Sequence, residues 1–295
     1  MKYSKEFEKY LEKEKNASRS TISAYMSDLR EFCDYMEAER GKEGEEAGNA
    51  DVAAFLMNLK NEGKSGATVN RKLASIRAYF ACLRLNGFSS ANPTEGIKAP
   101  KQPRKDVEFL TVEEVDSILE LPGSDVKGIR DKALLEVMYA TGMKASEIAA
   151  LNKTDIDLRI GFAVCSGEAG KRRIIPLGKP ARAAIKTYLD ESRDALIKGE
   201  EDCGALFLNY MGERMTRQGI WKVLKHYGEK AGLEKDLNPL ILRNSFAAHM
   251  IQNGADLKSL QELLGHEDIT ATKVFLSLSK NRIMDVYDKA FPRAK

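Results

Sequence analysis

The chain has 295 residues, 43% hydrophobic and 31% charged, enough apolar material for two ordinary domains or one large one, and a composition that excludes global disorder. The net charge of +3 points only weakly to nucleic acid, and no apolar run approaches the roughly 18 residues of a membrane span. Met1 to Lys15 lacks the apolar stretch of a signal peptide. Cys33, Cys82, Cys165 and Cys203 are scattered, as are His226, His249 and His266, which argues against a disulfide framework or zinc site. The expected compartment is a reducing cytoplasm, and no metal or cofactor is expected.

Leu11, Ile22, Tyr25, Leu29, Phe32 and Tyr35 recur at helical spacing. A loop follows, with Glu37, Glu39, Glu43, Glu45 and Glu46 among Gly41, Gly44 and Gly48. Helices are predicted at about 51–61 and 65–85, the second burying Val69, Leu73, Ile76, Phe80 and Leu83. Pro93, Pro100 and Pro103 then break any helix and mark an extended basic linker. Thr111 and Glu114 form a capping box that opens a new domain. Helices are predicted at about 112–121 and 128–139. Phe162, Val164, Ile174 and Ile175 flank the Gly167–Gly170 turn and predict a β-hairpin. The remainder reads as mostly helical, with stops at Gly199, Gly232, Gly254 and Gly265. Trp221 and Phe207 are assigned to packing.

The positive charge is concentrated. From Lys64 to Lys105 the chain carries nine bases (Lys64, Arg71, Lys72, Arg77, Arg84, Lys98, Lys101, Arg104, Lys105) and one acid, Glu95. A basic helix followed by a basic strap suits a phosphate backbone; the alternative is a solvated helix face with a linker. Residues 31–51 hold eight acids against two bases, so charge is segregated, which favours DNA.

Four segments carry a family resemblance. Asn253–Thr272 reads NGADLKSLQELLGHEDITAT, Leu242–His249 reads LRNSFAAH, Ala140–Ile148 reads ATGMKASEI and Lys171–Leu177 reads KRRIIPL. Together they resemble the tyrosine recombinases of the phage-integrase type, especially the Xer branch. The resemblance implies a mainly helical protein with a small β-hairpin or sheet. It divides the chain into a SAM-like, helical core-binding domain (1–97), a basic linker (98–107) and a catalytic-type domain (108–295), clamped around duplex DNA. In that family a tyrosine attacks a DNA phosphate held by two arginines, a lysine and two histidine-type residues. The nucleophile must be a hydroxyl, the arginines hold non-bridging oxygens with planar forks, and the lysine protonates the leaving oxygen.

Carried over position by position, the resemblance places the second arginine on Arg243 and the second histidine on His266. The first arginine falls on Lys144, which keeps the charge without the fork. The hairpin lysine falls on Glu168, the first histidine on Leu240 and the nucleophile on Phe275, which has no hydroxyl. Arg243 is open to two uses, phosphate contact or a buried bond to a carbonyl or to Glu147. His266 is open to phosphate contact or helix capping. As substitute nucleophiles, Ser277 on a helix points away from the site, Ser279 lies about 6 Å further along it, and Tyr287 sits on an apolar docking face.

The leading expectation is a DNA-binding pseudoenzyme that regulates, or silently accompanies, recombination-like events. Its expected DNA contacts are Lys64, Arg71, Lys72, Arg77, Lys98, Lys101, Arg104 and Lys105, with Lys171, Arg172 and Arg173 on the hairpin. Its expected partners are double-stranded DNA and, through Arg282–Lys295, a second copy or an active recombinase. Two alternatives stay open: an active recombinase with an unorthodox nucleophile, and a protein-interaction scaffold without DNA binding.

Overall fold

The computed structural model describes residues 1–100, 106–167, 171–199, 202–266 and 270–275. The chain divides into two compact units, residues 1–105 and 106–295.

The first unit is helical: α1 (Ser4–Lys13), α2 (Arg19–Tyr35, ending in a wide turn Met36–Arg40), α3 (Asn49–Asn61) and α4 (Gly66–Leu85). The long apolar stripe read in the sequence is split into α1 and α2. Asn16 adopts a left-handed φ of 45°, and the Ser18 hydroxyl caps α2 by accepting from the Thr21 N–H at 3.2 Å, which together turn the chain. Phe7, Leu29, Phe32, Phe55, Leu73, Ile76 and Phe80 form the core, with the Phe32 and Phe55 rings edge-on at 5.2 Å. The acidic loop is pinned to this core. Glu45 accepts from the Tyr79 hydroxyl at 2.6 Å and the Lys2 backbone N–H at 2.8 Å.

The second unit contains α5 (Val112–Glu120), α6 (Val126–Thr141), α7 (Ala145–Ala150), β1 (Ile156–Asp157), β2 (Phe162–Ser166), β3 (Arg172–Pro176), α8 (Lys179–Thr187), α9 (Arg193–Leu196), α10 (Arg217–Lys230), α11 (Pro239–Gln252), α12 (Leu257–Leu264) and α13 (Thr270–Lys273). The capping box at α5 forms in both directions: the Glu114 N–H donates to Thr111 Oγ1 at 3.2 Å and the Thr111 N–H to Glu114 Oε2 at 2.7 Å. The hairpin is β2–β3, antiparallel, with Val164 opposite Ile174. Alternation along it puts Ala163, Cys165 and Ile175 in the core and Ile174 outside. The two-residue β1 completes an antiparallel sheet in the order β1-β2-β3. The fold is thus mainly α with a small sheet. Phe246, Ala247, Ile251, Leu260, Leu264 and Phe275 make a small apolar cluster that joins α11 and α12 to the chain after α13. No helix among the described residues is long and apolar enough to cross a membrane.

Candidate functional site

The site is assembled where α6 ends, α7 begins and α12 ends. Gly142 terminates α6 in the left-handed region, φ 58°. A Cβ there would lie 2.4 Å from Phe246 Cδ1 and 3.0 Å from Leu264 Cδ2, so only glycine fits both the backbone and the packing. Lys144 is the N-cap of α7, with its side chain exposed.

Arg243, on α11, is buried beneath this turn. Its Nη1 donates to Gly142 O at 2.5 Å and its Nη2 to Leu264 O at 2.8 Å. Nη2 also lies 2.9 Å from His266 Nε2. An arginine offers only donors, so Nε2 is the acceptor and the ring proton sits on Nδ1, which donates to Thr272 Oγ1 at 2.9 Å. Burial draws the guanidinium down to about 10, with Glu147 opposing and Arg173 adding to the fall. His266 falls to about 4, through burial first and then the charges of Arg243, Lys144 and Arg173. At neutral pH the pair is therefore a charged arginine beside a neutral imidazole. Of the five Arg243 N–H bonds, one on Nε and one on Nη1 have no partner among the described residues. Within the protein Arg243 bonds backbone carbonyls and His266, while Glu147 pairs with Arg173.

Glu147 is bound by Arg173 in a fork, Nη1 to Oε1 and Nη2 to Oε2, both at 2.8 Å. Its Oε2 also accepts from the Lys144 backbone N–H at 2.8 Å. Burial pushes this carboxyl up, but the bonds from Arg173 and Lys144 outweigh it and leave it below the usual carboxylate range. Arg173 Nε donates to Leu263 O at 2.8 Å. The sequence groups Arg173 with Lys171 and Arg172 as an expected DNA contact. Its side chain is partly buried, and three of its N–H bonds are held by protein acceptors. Lys171, just before β3, and Arg172, its first residue, are exposed, with Arg172 3.9 Å from Asp155.

The other positions singled out in the sequence are distributed differently. Leu240, at the start of α11, is 64% exposed, whereas Phe275 is 3% exposed within the apolar cluster. Glu168 lies outside the described residues, as do Ser277, Ser279, Tyr287 and the segment Arg282–Lys295. The described hydroxyl that touches the retained pair, Thr272, is fully buried. Burial also pushes the thiol of Cys165, beside Glu147, up to about 12, which removes its thiolate at neutral pH.

In the first unit, Lys72 is buried with Asp28 at 3.1 Å and Glu31 at 2.6 Å, so its ammonium is taken up inside rather than offered to phosphate. Arg71 is partly exposed and ion-paired with Asp28. Arg77 is exposed and donates to Ile97 O. Lys64 and Lys98 are exposed, while Lys101, Arg104 and Lys105 lie outside the described residues.

One basic surface was missed. Along α10, Arg217, Gln218, Trp221, Lys222 and Lys225 are all exposed and share one helical face at spacings of four and eight. Lys225 Nζ lies 5.4 Å from the Trp221 ring centroid, a cation–π distance. Trp221 is thus on the surface, while Phe207 is buried and stacked on Tyr188 at 5.6 Å. The periodicity of α10 was available in the sequence as Arg217, Trp221 and Lys225, but it was overshadowed by the denser Lys64–Lys105 run.

A mainly helical unit with this hairpin, this arginine and this histidine defines the integrase-type class of fold. Residues 108–282 match the family described as the phage integrase family, and residues 5–87 match its N-terminal SAM-like domain. The chain belongs to the phage integrase family, among the tyrosine recombinases. It is 40% identical over 290 residues to tyrosine recombinase XerD of Oceanobacillus iheyensis, covering 98% of each chain. It is 42% identical over 276 residues to tyrosine recombinase XerC of Roseiflexus sp. strain RS-1, covering 92% of this chain and 88% of that protein. In fold it is similar to XerH site-specific recombinase bound to a palindromic difH substrate, with a TM-score of 0.74 at 24% identity, covering 97% of this chain and 84% of that one. It is likewise similar to a lambda integrase dimer bound to a core site, with a TM-score of 0.69 at 18% identity, covering 91% of this chain and 92% of that one. The expectation of a pseudoenzyme is overturned here. Relatives at about 40% identity over nearly the whole chain are named recombinases, and nothing in the described residues shows inactivity. Lys144, Glu168, Leu240 and Phe275 stand at the positions the resemblance matched to family site residues.

Proposed function

We propose that the protein is a site-specific recombinase acting on duplex DNA, with an attacking hydroxyl drawn from a position other than 275. The observation that carries this reading is the similarity, nearly end to end, to proteins named tyrosine recombinases. The site supports it. Arg243 keeps two N–H bonds for non-bridging phosphate oxygens, Lys144 adds an exposed charge beside them, and the neutral His266 holds Arg243 in place. The exposed face of α10 supplies residue types that read and grip DNA: Arg217 and Gln218 for base edges, Lys222 and Lys225 for phosphates. Arg71, Arg77, Lys64 and Lys98 of the helical portion 1–97 and the linker 98–107 add backbone contacts, as do Lys171 and Arg172 of the catalytic-type portion 108–295. A second copy or another recombinase on the same DNA is part of this reading, with Arg282–Lys295 as the connecting segment.

The test uses the full chain. Sheared genomic DNA is captured at moderate salt to find the site, and that site is then offered as a nicked duplex that traps a covalent intermediate. A protein–DNA adduct that survives denaturant, mapped by peptide mass to Ser277, Ser279, Tyr287 or another hydroxyl, is the expected outcome. Site binding with no such adduct overturns the recombinase reading.

A further inference from the structure

Two arginines stitch the same two segments of the second unit together. Arg243 takes the carbonyls of Gly142 and Leu264. Arg173 takes Leu263 O, next in line on α12, and reaches the other segment through Glu147, whose Oε2 caps the Lys144 N–H two residues beyond Gly142. Residues 142–147 and 263–266 are thus bridged twice, once by each guanidinium. A second observation points the same way. Gly265 follows the Arg243 acceptor and precedes His266, and a Cβ there would lie 2.8 Å from Arg173 Nη1 and 3.0 Å from its Cζ. The Arg173 plane therefore lies directly against the backbone that presents His266.

We propose that Arg173 is a positioning residue of the phosphate seat. By clamping α7 to the end of α12 it holds the Gly142 and Leu264 carbonyls where Arg243 needs them, and Arg243 in turn fixes the tautomer of His266. The inference rests on the recombinase reading only for what the seat holds. Lysine cannot replace the arginine, because one ammonium cannot span both Glu147 oxygens in a planar fork while also reaching Leu263 O.

The readout is the nitrogen chemical shifts of His266 in the full-length protein, which distinguish the two tautomers. With three histidines in the chain, assignment needs only His226→Gln and His249→Gln reference spectra. In the unmodified protein His266 is expected as the Nδ1–H form, with Nε2 unprotonated. In Arg173→Lys, which keeps the positive charge, and in Gly265→Ala, where the new Cβ meets the guanidinium and the left-handed φ of 64° adds backbone strain, the Nε2–H form preferred by free imidazole should appear, and the Arg173→Lys spectrum is the one that assigns the effect to Arg173. A merely structural role that left Arg243 in place would not move this equilibrium. Retention of the Nδ1–H form in both folded variants overturns the proposal. So does an Nε2–H form in the unmodified protein. Loss of the folded circular dichroism in Arg173→Lys alone would assign Arg173 to stability and also overturn it. Binding of the nicked duplex should weaken about tenfold in Arg173→Lys, the scale of one charge-assisted contact. If the unmodified protein binds no duplex, the recombinase reading falls while the nitrogen shifts still decide the role of Arg173.

Discussion

Phe275 and Leu240 show how differently two positions matched by the resemblance are built into a molecule. Phe275 fills the apolar cluster with Phe246, Ile251 and Leu264, so Phe275→Ala should cost about 3–5 kcal/mol of unfolding free energy, the usual loss for a buried phenylalanine. Leu240 is 64% exposed, so Leu240→His should stay within about 0.5 kcal/mol of the parent. Urea unfolding of the two variants checks both, and a small loss at position 275 would mean the cluster does not hold the end of the described chain. Arg243 and His266 were both singled out by their motifs, and the structure brings them within 2.9 Å. Their other partners were not. Arg243 meets Gly142 and Leu264, 101 and 21 residues away, and Glu147 was named as its candidate partner when Arg173, 26 residues on, has the better geometry. A carboxylate flanked by two arginines cannot be apportioned between them from spacing alone.

At the scale of elements, the helices with strong ends were the readable ones. The α5 start was given away by Thr111 and Glu114, and α4 by its buried stripe; the α1–α2 break was masked by the apolar stripe that runs on through it, although asparagine is one of the few non-glycine residues to enter the left-handed region. The two-residue β1 has no periodic signal to find. The α6–α7 turn carries a prediction of its own. Gly142→Ala would combine left-handed strain of about 1–3 kcal/mol with the close approach to Phe246 and Leu264, so its thermal midpoint should fall measurably and DNA affinity should fall with it. A midpoint equal to the parent's would show that the turn can open at no cost. The exposed face of α10 makes a separable prediction. Lys222→Ala and Lys225→Ala should each reduce the salt slope of DNA binding by about 0.9, whereas Gln218→Ala should leave the slope unchanged and relax preference for the captured site. Equal effects from all three would reduce α10 to a nonspecific basic surface.

At the scale of the whole chain, the two units have separate cores and different titrating groups, and a single fluorophore tells them apart. Trp221, the one tryptophan in the sequence, lies in the second unit, so its emission follows that unit while far-ultraviolet circular dichroism follows both. His266 is held well below its ordinary value, to about 4. The unfolded second unit therefore binds a proton that the folded one refuses between about pH 6.5 and pH 4. Its contribution is present above the unfolded value and is lost as pH falls through that window. In the first unit Glu45 is held below the usual carboxylate range: burial raises it, but the Tyr79 hydroxyl and the N–H bonds from its own backbone and Lys2 lower it further. Asp51 is lowered chiefly by the Gly48 N–H. These stabilise above about pH 4.5 and are lost only below it. Urea midpoints followed by tryptophan emission should thus begin to fall on acidification from pH 6.5, before the acid-induced loss of the first unit shows in circular dichroism. His266→Gln should make the emission-detected slope between pH 6.5 and 4 shallower, with His249, also lowered by burial, supplying the rest, and leave the later transition where it was. Coincident midpoints by both probes across that range would mean that the two units unfold as one, and that His266 does not govern the acid response of the second.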